Sequence, residues 1–593
     1  MLEALGSWRR THTCGELRAA DAGRDAILMG WVHRVRDHGG VIFVDLRDRY
    51  GMTQVVVRPE AAAAGPLFEK GQALRGEFVV AVRGTVGARP EAMVNRAMPT
   101  GDIELLASEL RILNASQTPP FEVDDETLAA EDLRLEYRYI DLRRPVLQSI
   151  LELRHRLMLE TRRYLSAERF LEIETPMLVK PTPEGARDYI VPARLHPGKF
   201  YALPQSPQLY KQILMVCGFD RYFQIARCLR DEDARADRQA EFAQIDLEMS
   251  FAGEVDVFGV IEGLVSALVR EARGTEIPVP FPRMRYEEAM DRFGSDKPDL
   301  RYGLEMRDVT SLAAETEFGI FRGAVAAGGT VRCLVAPGCA EWSRQQVDAL
   351  EETAKRFGAK GLARAKLTER GFETGVGKFL EPMRAAFAEA TGAREGDLVL
   401  FVADRKDVAR RALGAVRVAL GQAVCKPDRF DYRFLWVHEF PLFERDEEHG
   451  RWTPAHHMFT MPLDEDLPHL ETDPGRVHAQ LYDLVLSGVE LGSGSIRIHR
   501  RDIQERVMKV VGMSAEDAEA RFGFLLKAFQ FGAPPHGGIA LGFDRFVMLM
   551  AGTDSIRDTI AFPKTARAAS LMDGCPAGIP EADLRDLHLT FVP

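Results

Sequence analysis

The chain has 593 residues, 46% of them hydrophobic and 28% charged, with a formal net charge of −12. That length is too great for one hydrophobic core and implies three or four domains of ordinary soluble, globular composition. No uncharged run reaches the ~18 apolar residues of a membrane span, and the start MLEALGSWRRTHTCGEL has no apolar stretch of the secretory kind, so the chain reads as cytoplasmic. The seven cysteines (Cys14, Cys217, Cys228, Cys333, Cys339, Cys425, Cys575) are scattered and form no CxxC pair. They read as reduced thiols rather than disulfides or a zinc site. The negative charge argues against nucleic acid at first sight. Yet residues 1–113 are close to neutral, with 15 basic and 14 acidic side chains, and local basic faces act over a screening length of only ~8 Å.

In chain order, 1–113 reads as five short strands: Ile27–Val35, Val41–Arg47, Met52–Arg58, Phe78–Val86 and Asp102–Leu113. Asp37–Gly40 and Asp48–Gly51 supply the first two turns. Five strands at this spacing predict an OB barrel, whose second and third strands face single-stranded nucleic acid. Arg36, Phe43 and Gln54 offer a cation, a stacking ring and an amide there, although Phe43 is equally well typed for the core. Asn114–Ala130, with Pro119-Pro120, reads as a hinge linker. Leu147–Ala167 has a helical stripe of Ile150, Leu153, Leu157 and Tyr164, and leads into a strand, Phe170–Leu178. Thr182–Asp188 is a loop with two prolines, a glycine and Glu184.

Tyr222–Phe251 predicts a hairpin. Gln244, Asp246 and Glu248 share one face of its return strand, and Ile245, Leu247 and Met249 share the other. Arg230, Glu232 and Arg238 lie at the loop. A fixed arginine beside carboxylates and amides suits a ligand with both phosphate and ammonium groups. From about Tyr302 to Pro427 strands (Thr330–Val335, Leu398–Ala403) alternate with helices (Ser343–Phe357, Arg405–Gln422), without a site-like cluster. Asp431–Phe443 resumes a sheet. Gly537–Met550 reads as a glycine-rich strand running into a helix that begins near Arg545.

FLEIETPML (170–178), the 222–251 hairpin and GGIALGFDRFVMLM (537–550) resemble motifs 1, 2 and 3 of the class II aminoacyl-tRNA synthetases. TPEGARDY (182–189), FYALPQSPQLYKQ (200–212), GSGSIRIH (492–499) and IRDTIAFPKT (556–565) narrow the resemblance to the bacterial aspartyl family, over nearly the whole chain. There are small departures: RQAEF has Ala240 where the family has proline, HHMF has Met458, GSGS replaces GGGS, and Arg500 follows RIH. None removes a charged catalytic position.

The resemblance implies a multidomain α+β protein. It has an OB-fold anticodon domain (1–113), a linker (114–135), a class II antiparallel-sheet catalytic domain in two parts (136–301 and 428–593) and an α+β insertion (302–427). It implies adenylation of aspartate by ATP, then transfer to tRNA. Arg230 and Arg545 are the expected catalytic arginines. Glu184, Ser206, Gln208, Lys211, Arg230, Asp246, His456 and Arg497 are expected around aspartate. Arg230, Asp231, Glu232, Gln239, Glu490, Gly542, Phe543, Asp544 and Arg545 are expected around ATP, with Asp483 and Glu490 suited to Mg²⁺. Arg36, Phe43, Gln54 and Glu104 match anticodon-contacting positions. His38 and Ala92 match the positions that separate relaxed from strict enzymes, and a small residue at 92 points to charging of tRNA-Asn as well as tRNA-Asp. A homodimer built on the 147–178 helix and strand is implied, as is an amidotransferase that consumes Asp-tRNA-Asn. By pattern alone that helix and strand could equally be internal core, and the 182–188 loop a plain surface turn.

Overall fold

The computed structural model describes residues 2–59, 65–182, 186–232 and 238–590, so Glu184 lies outside the described residues. The chain divides into two compact units, 1–152 with 557–577, and 153–556 with 578–593.

In the first unit the strands Asp25–His38, Val41–Asp48, Gly51–Val57, Val79–Ala88 and Ile103–Asn114 close into a barrel, in the order first, second, third, fifth, fourth. Alternation along the strands sorts the side chains. Ile42, Val44 and Leu46 point into the barrel core, while Phe43 is only partly buried and stands outside it. The core alternative for Phe43 therefore does not hold. An irregularity between Val32 and Arg34 breaks the pairing of the first and second strands, of the kind that bends a strand shared by two neighbours. A helix not foreseen from the sequence, Pro66–Ala73, adds Phe68 to the core. Its proline sits at the first helical positions, where the missing N–H costs nothing. Residues 115–130 contain no helix or strand.

The second unit is built on an eight-stranded sheet. Across it run Arg283–Arg285, Phe434–His438, Leu481–Leu486, Val489–Ile496, His536–Gly542, Glu241–Ser250, Arg221–Leu229 and Leu171–Glu172. The pairs at both edges are parallel and the interior pairs antiparallel. The helix Glu254–Arg273 buries Val257, Phe258, Ile261, Leu264, Val265 and Leu268. Phe258 stacks on Trp436 of the sheet with ring centres 4.2 Å apart. Two boundaries differ from expectation. Only Leu171–Glu172 of the 170–178 segment pairs as a strand. Beyond it Thr175 donates from its N–H (3.2 Å) and hydroxyl (3.0 Å) to the Gln224 side chain, so a side chain replaces the ladder. The helix after the glycine-rich strand starts at Phe543, directly after Gly542.

The inserted segment has its own five-stranded sheet, Met306–Asp308, Thr330–Ala336, Leu398–Asp404, Ala363–Thr368 and Gly371–Glu373 in spatial order. Its strand Leu398–Asp404 is apolar on both faces because both are covered. Leu398, Leu400 and Val402 join the core under the helices Arg344–Arg356 and Lys406–Val424, and Val399 and Phe401 join a second core with Phe321 and Phe387. Among the described residues no helix is long and apolar enough to cross a membrane.

Candidate active site

The strand Glu241–Ser250 lies between two others, and its charged face is enclosed rather than open: Asp246 is 1% and Glu248 0% exposed. Two carboxylates survive there only if paired. Their partners come from two other elements. Lys211, on the helix Gln208–Val216, places Nζ 2.9 Å from Asp246 Oδ2 and 3.3 Å from Glu248 Oε2. Arg497, just past the strand Val489–Ile496, donates from Nε to Glu248 Oε1 at 3.0 Å and from Nη1 to Ser495 Oγ at 2.6 Å. Two cations and two anions thus form a buried square, paired along three of its sides. Gly538, opposite Glu248 in the register, has no room for a Cβ against the Leu247 carbonyl and the Glu248 side chain.

Burial works against the Glu248 charge, but Arg497 and Lys211 outweigh it and hold its carboxyl below the usual range. For Asp246 burial dominates over Lys211, and its carboxyl is pushed up to about 6. Arg497 Nη1 also lies 3.0 Å from His457 Nε2. A guanidinium can only donate, so that nitrogen accepts. Burial and the Arg497 charge accordingly press the His457 pKa well below its ordinary value.

The square floors one end of a cleft of about 900 Å³. Ser206, Gln208 and His456 line the same end. Three atoms here have no hydrogen-bond partner among the described residues: Asp246 Oδ1, Gln208 Nε2 and Arg230 Nε. Arg230, Glu232, Gln239, Glu490, Gly542, Asp544 and Arg545 also line the cleft. The Arg230 guanidinium lies 5.1 Å from the centre of the Phe242 ring, and Arg238 is 3.6 Å from Glu232. Asp544 accepts from the Ala243 N–H at 2.7 Å and pairs with Arg154, so it ties the helix Phe543–Ala551 to the neighbouring strand. Arg545 Nη1 donates to the Glu490 carbonyl at 2.6 Å.

Asp483 and Glu490 stand on the strands Leu481–Leu486 and Val489–Ile496, joined by a turn at Gly488. Asp483 is 2% exposed, and its Oδ1 has no hydrogen-bond partner among the described residues. Burial, then the adjacent Glu490, push its carboxyl well above the usual range. Among the described residues no group of three or more His, Cys, Asp or Glu forms a metal cage.

Two expected nucleotide-side residues lie off the cleft. Asp231 faces the surface and pairs with Arg187 at 3.5 Å, while its neighbour Glu232 turns inward. Phe543 is wholly buried beneath the Arg154 guanidinium, on the inward side of its helix.

On the barrel, Arg36 donates to Asp45 at 2.8 Å and reaches Gln54 Oε1 at 3.4 Å, and Gln54 Nε2 donates to Glu104 at 3.1 Å. Phe43 is in register with Arg36. The four expected residues therefore form one outward row, which also takes in Asp45. His38 at the first hairpin and Ala92 in the turn Glu91–Met93 are exposed.

Residues 130–566 match the family of tRNA synthetases class II (D, K and N), and residues 26–113 match the OB-fold nucleic acid binding domain. The chain belongs to the class II tRNA synthetases of the D, K and N group. It is 54% identical to the aspartate–tRNA(Asp/Asn) ligase of Moorella thermoacetica, over 99% of this chain and 98% of that one. It is 52% identical to the aspartate–tRNA ligase of Geobacillus kaustophilus, over 98% and 99%. A solved asparaginyl-tRNA synthetase from Pyrococcus horikoshii shares the fold, with a TM-score of 0.58 at 20% identity over 94% of this chain and 98% of that one.

In this class II synthetase one residue of the cleft, Lys297, was not marked by the sequence. Glu248, which the period of two had placed on the face of Asp246, pairs with Lys211 and Arg497. His457 adjoins the expected His456. Lys297 sits in an irregular loop where no periodicity marks it.

Proposed function

We propose that the cleft joins L-aspartate to ATP and passes the aspartyl group to the 3′ end of tRNA-Asp, and also of tRNA-Asn. The observation that carries this is the set of unmatched atoms around the buried square. Asp246 Oδ1 is an acceptor suited to an ammonium group, and Gln208 Nε2 and Arg230 Nε are donors suited to carboxylate. Lys211 and Arg497 supply the cations an acidic side chain needs. Asparagine would offer those cations only a neutral amide in exchange for the carboxylates they already hold, and a site built for a charged partner rejects such an analogue. The names carried by the full-length relatives support the same reading.

The aspartate α-carboxylate attacks the α-phosphorus, a phosphorus–oxygen bond breaks and pyrophosphate leaves. The terminal ribose hydroxyl then attacks the acyl carbon, loses its proton, and AMP leaves. A carboxylate is already nucleophilic, so catalysis rests on positioning and on stabilising charge at phosphorus. In this reading Arg230 bridges carboxylate and α-phosphate, and Arg545, braced on the Glu490 carbonyl, takes the far end of the triphosphate. Asp483 and Glu490 fit Mg²⁺, which keeps several waters and takes one or two carboxylates. The buried, unmatched Asp483 Oδ1 supports that fit. When bound, the ion would neutralise phosphate charge. The outward row of Arg36, Phe43, Gln54 and Glu104 takes the anticodon. The short strand Leu171–Glu172 at the sheet edge, with Leu171 half exposed, supports a homodimer across that edge.

Exchange of pyrophosphate into ATP is expected with aspartate and not with asparagine or lysine; exchange with either of those alone rules the reading out. Transcripts of tRNA-Asp and tRNA-Asn are expected to be charged with kcat/KM within about a hundredfold of each other. A larger preference, beyond about 2.7 kcal/mol, makes the enzyme strict for tRNA-Asp. Small, uncharged Ala92 and His38 support the relaxed form, since removing a repulsive element loosens specificity.

A further inference from the structure

Lys297 lies outside the catalytic sheet, in the loop between the helix Tyr286–Phe293 and the turn Leu300–Tyr302. Its Nζ stands 3.4 Å from Glu490 Oε2 and 3.6 Å from Asp296 Oδ2.

The Lys297 side chain is 43% exposed, but the loop that carries it is clamped on both sides. Gly294 and Gly414 pack backbone to backbone, so closely that neither could carry a Cβ without collision. Gly414 lies on the inserted segment's helix Lys406–Val424. Three residues further along that helix is Arg417, 1% exposed, whose guanidinium donates to the Asp299 carbonyl at 2.7 Å and to the Leu304 carbonyl. On the other side Asp299 lies against Gly488, in the turn between the strands of Asp483 and Glu490. The inserted segment thus holds the loop against the turn that carries the two carboxylates.

We propose that Lys297 is the resident counter-ion of the Asp483–Glu490 pair and sets how readily that pair accepts a divalent cation. Glu490 is then a shared ligand, held by the ammonium before the metal–nucleotide arrives and released to the metal afterwards. A lysine here lowers the affinity for free metal, so that cation and nucleotide enter together. The proposal rests on the reading of Asp483 and Glu490 as the metal carboxylates.

The test uses Mn²⁺ as the probe, an ion of similar oxygen preference. Binding is read from the electron paramagnetic resonance signal of free Mn²⁺, with the full chain and no nucleotide. Lys297→Met should bind Mn²⁺ about tenfold more tightly than the unsubstituted protein, because a positive charge at contact distance is gone. Lys297→Arg should stay near the unsubstituted value. Equal or weaker binding by Lys297→Met overturns the counter-ion role. A parallel titration with a non-hydrolysable ATP analogue separates the two claims. If Glu490→Gln leaves Mn²⁺ binding unchanged there, the metal reading falls and the counter-ion role falls with it.

Discussion

Arg497 and Asp246 show how one buried square divides its work. Arg497 spends donors on Glu248, Ser495 and His457, which fix its plane before any ligand arrives. Arg497→Ala should cut kcat/KM for aspartate by about 3–5 kcal/mol, as for a buried pair broken on one side. The KM for ATP should move far less, and steady-state exchange kinetics separate the two. Asp246 makes a prediction in pH. Its carboxyl is held up at about 6, and only its ionised form accepts from an ammonium group. As pH falls through that value the proton occupies the acceptor, so kcat/KM for aspartate should drop about tenfold per unit below pH ~6. Asp246→Asn, weaker throughout, should lose this limb. The charged positions were legible because their spacing put them on one strand face. What a period of two could not tell is that the face would be enclosed and each charge already matched. That depends on Lys211 and Arg497, which reach it from distant stretches of chain.

At the level of elements, the barrel strands were readable from alternation and turns, and the structure moves their ends by three residues at most. The 170–178 segment was not, since Thr175 bonds a side chain where a strand was expected to continue the ladder. The helix Pro66–Ala73 has no amphipathic repeat long enough to announce itself. The outward row on the barrel is preorganised: Asp45 and Gln54 steady Arg36, and Glu104 steadies Gln54. Arg36→Ala should therefore raise the KM for tRNA about tenfold, the worth of a charged hydrogen bond. Aspartate-dependent pyrophosphate exchange should stay unchanged. Equal loss of both activities would make the row a support for the fold rather than a contact surface.

For the molecule as a whole, the net charge of −12 was a poor guide, since it averages over surfaces that never act together. The motifs located the cleft, whereas the loop of Lys297 becomes meaningful only once the inserted segment is packed against it. The buried square has one further consequence. Its four charges sum to zero with every member at most 2% exposed, so mobile ions cannot enter among them. Aspartate must therefore bind by exchanging partners within a sealed set of charges, and its affinity should barely change between about 0.05 and about 0.2 M salt. The tRNA brings phosphates to an open surface, and its affinity should fall steeply over the same interval as released counter-ions lose their entropic advantage. Measured on one preparation, the two curves should part company: ionic strength would loosen this protein's hold on the nucleic acid while leaving its grip on the amino acid intact.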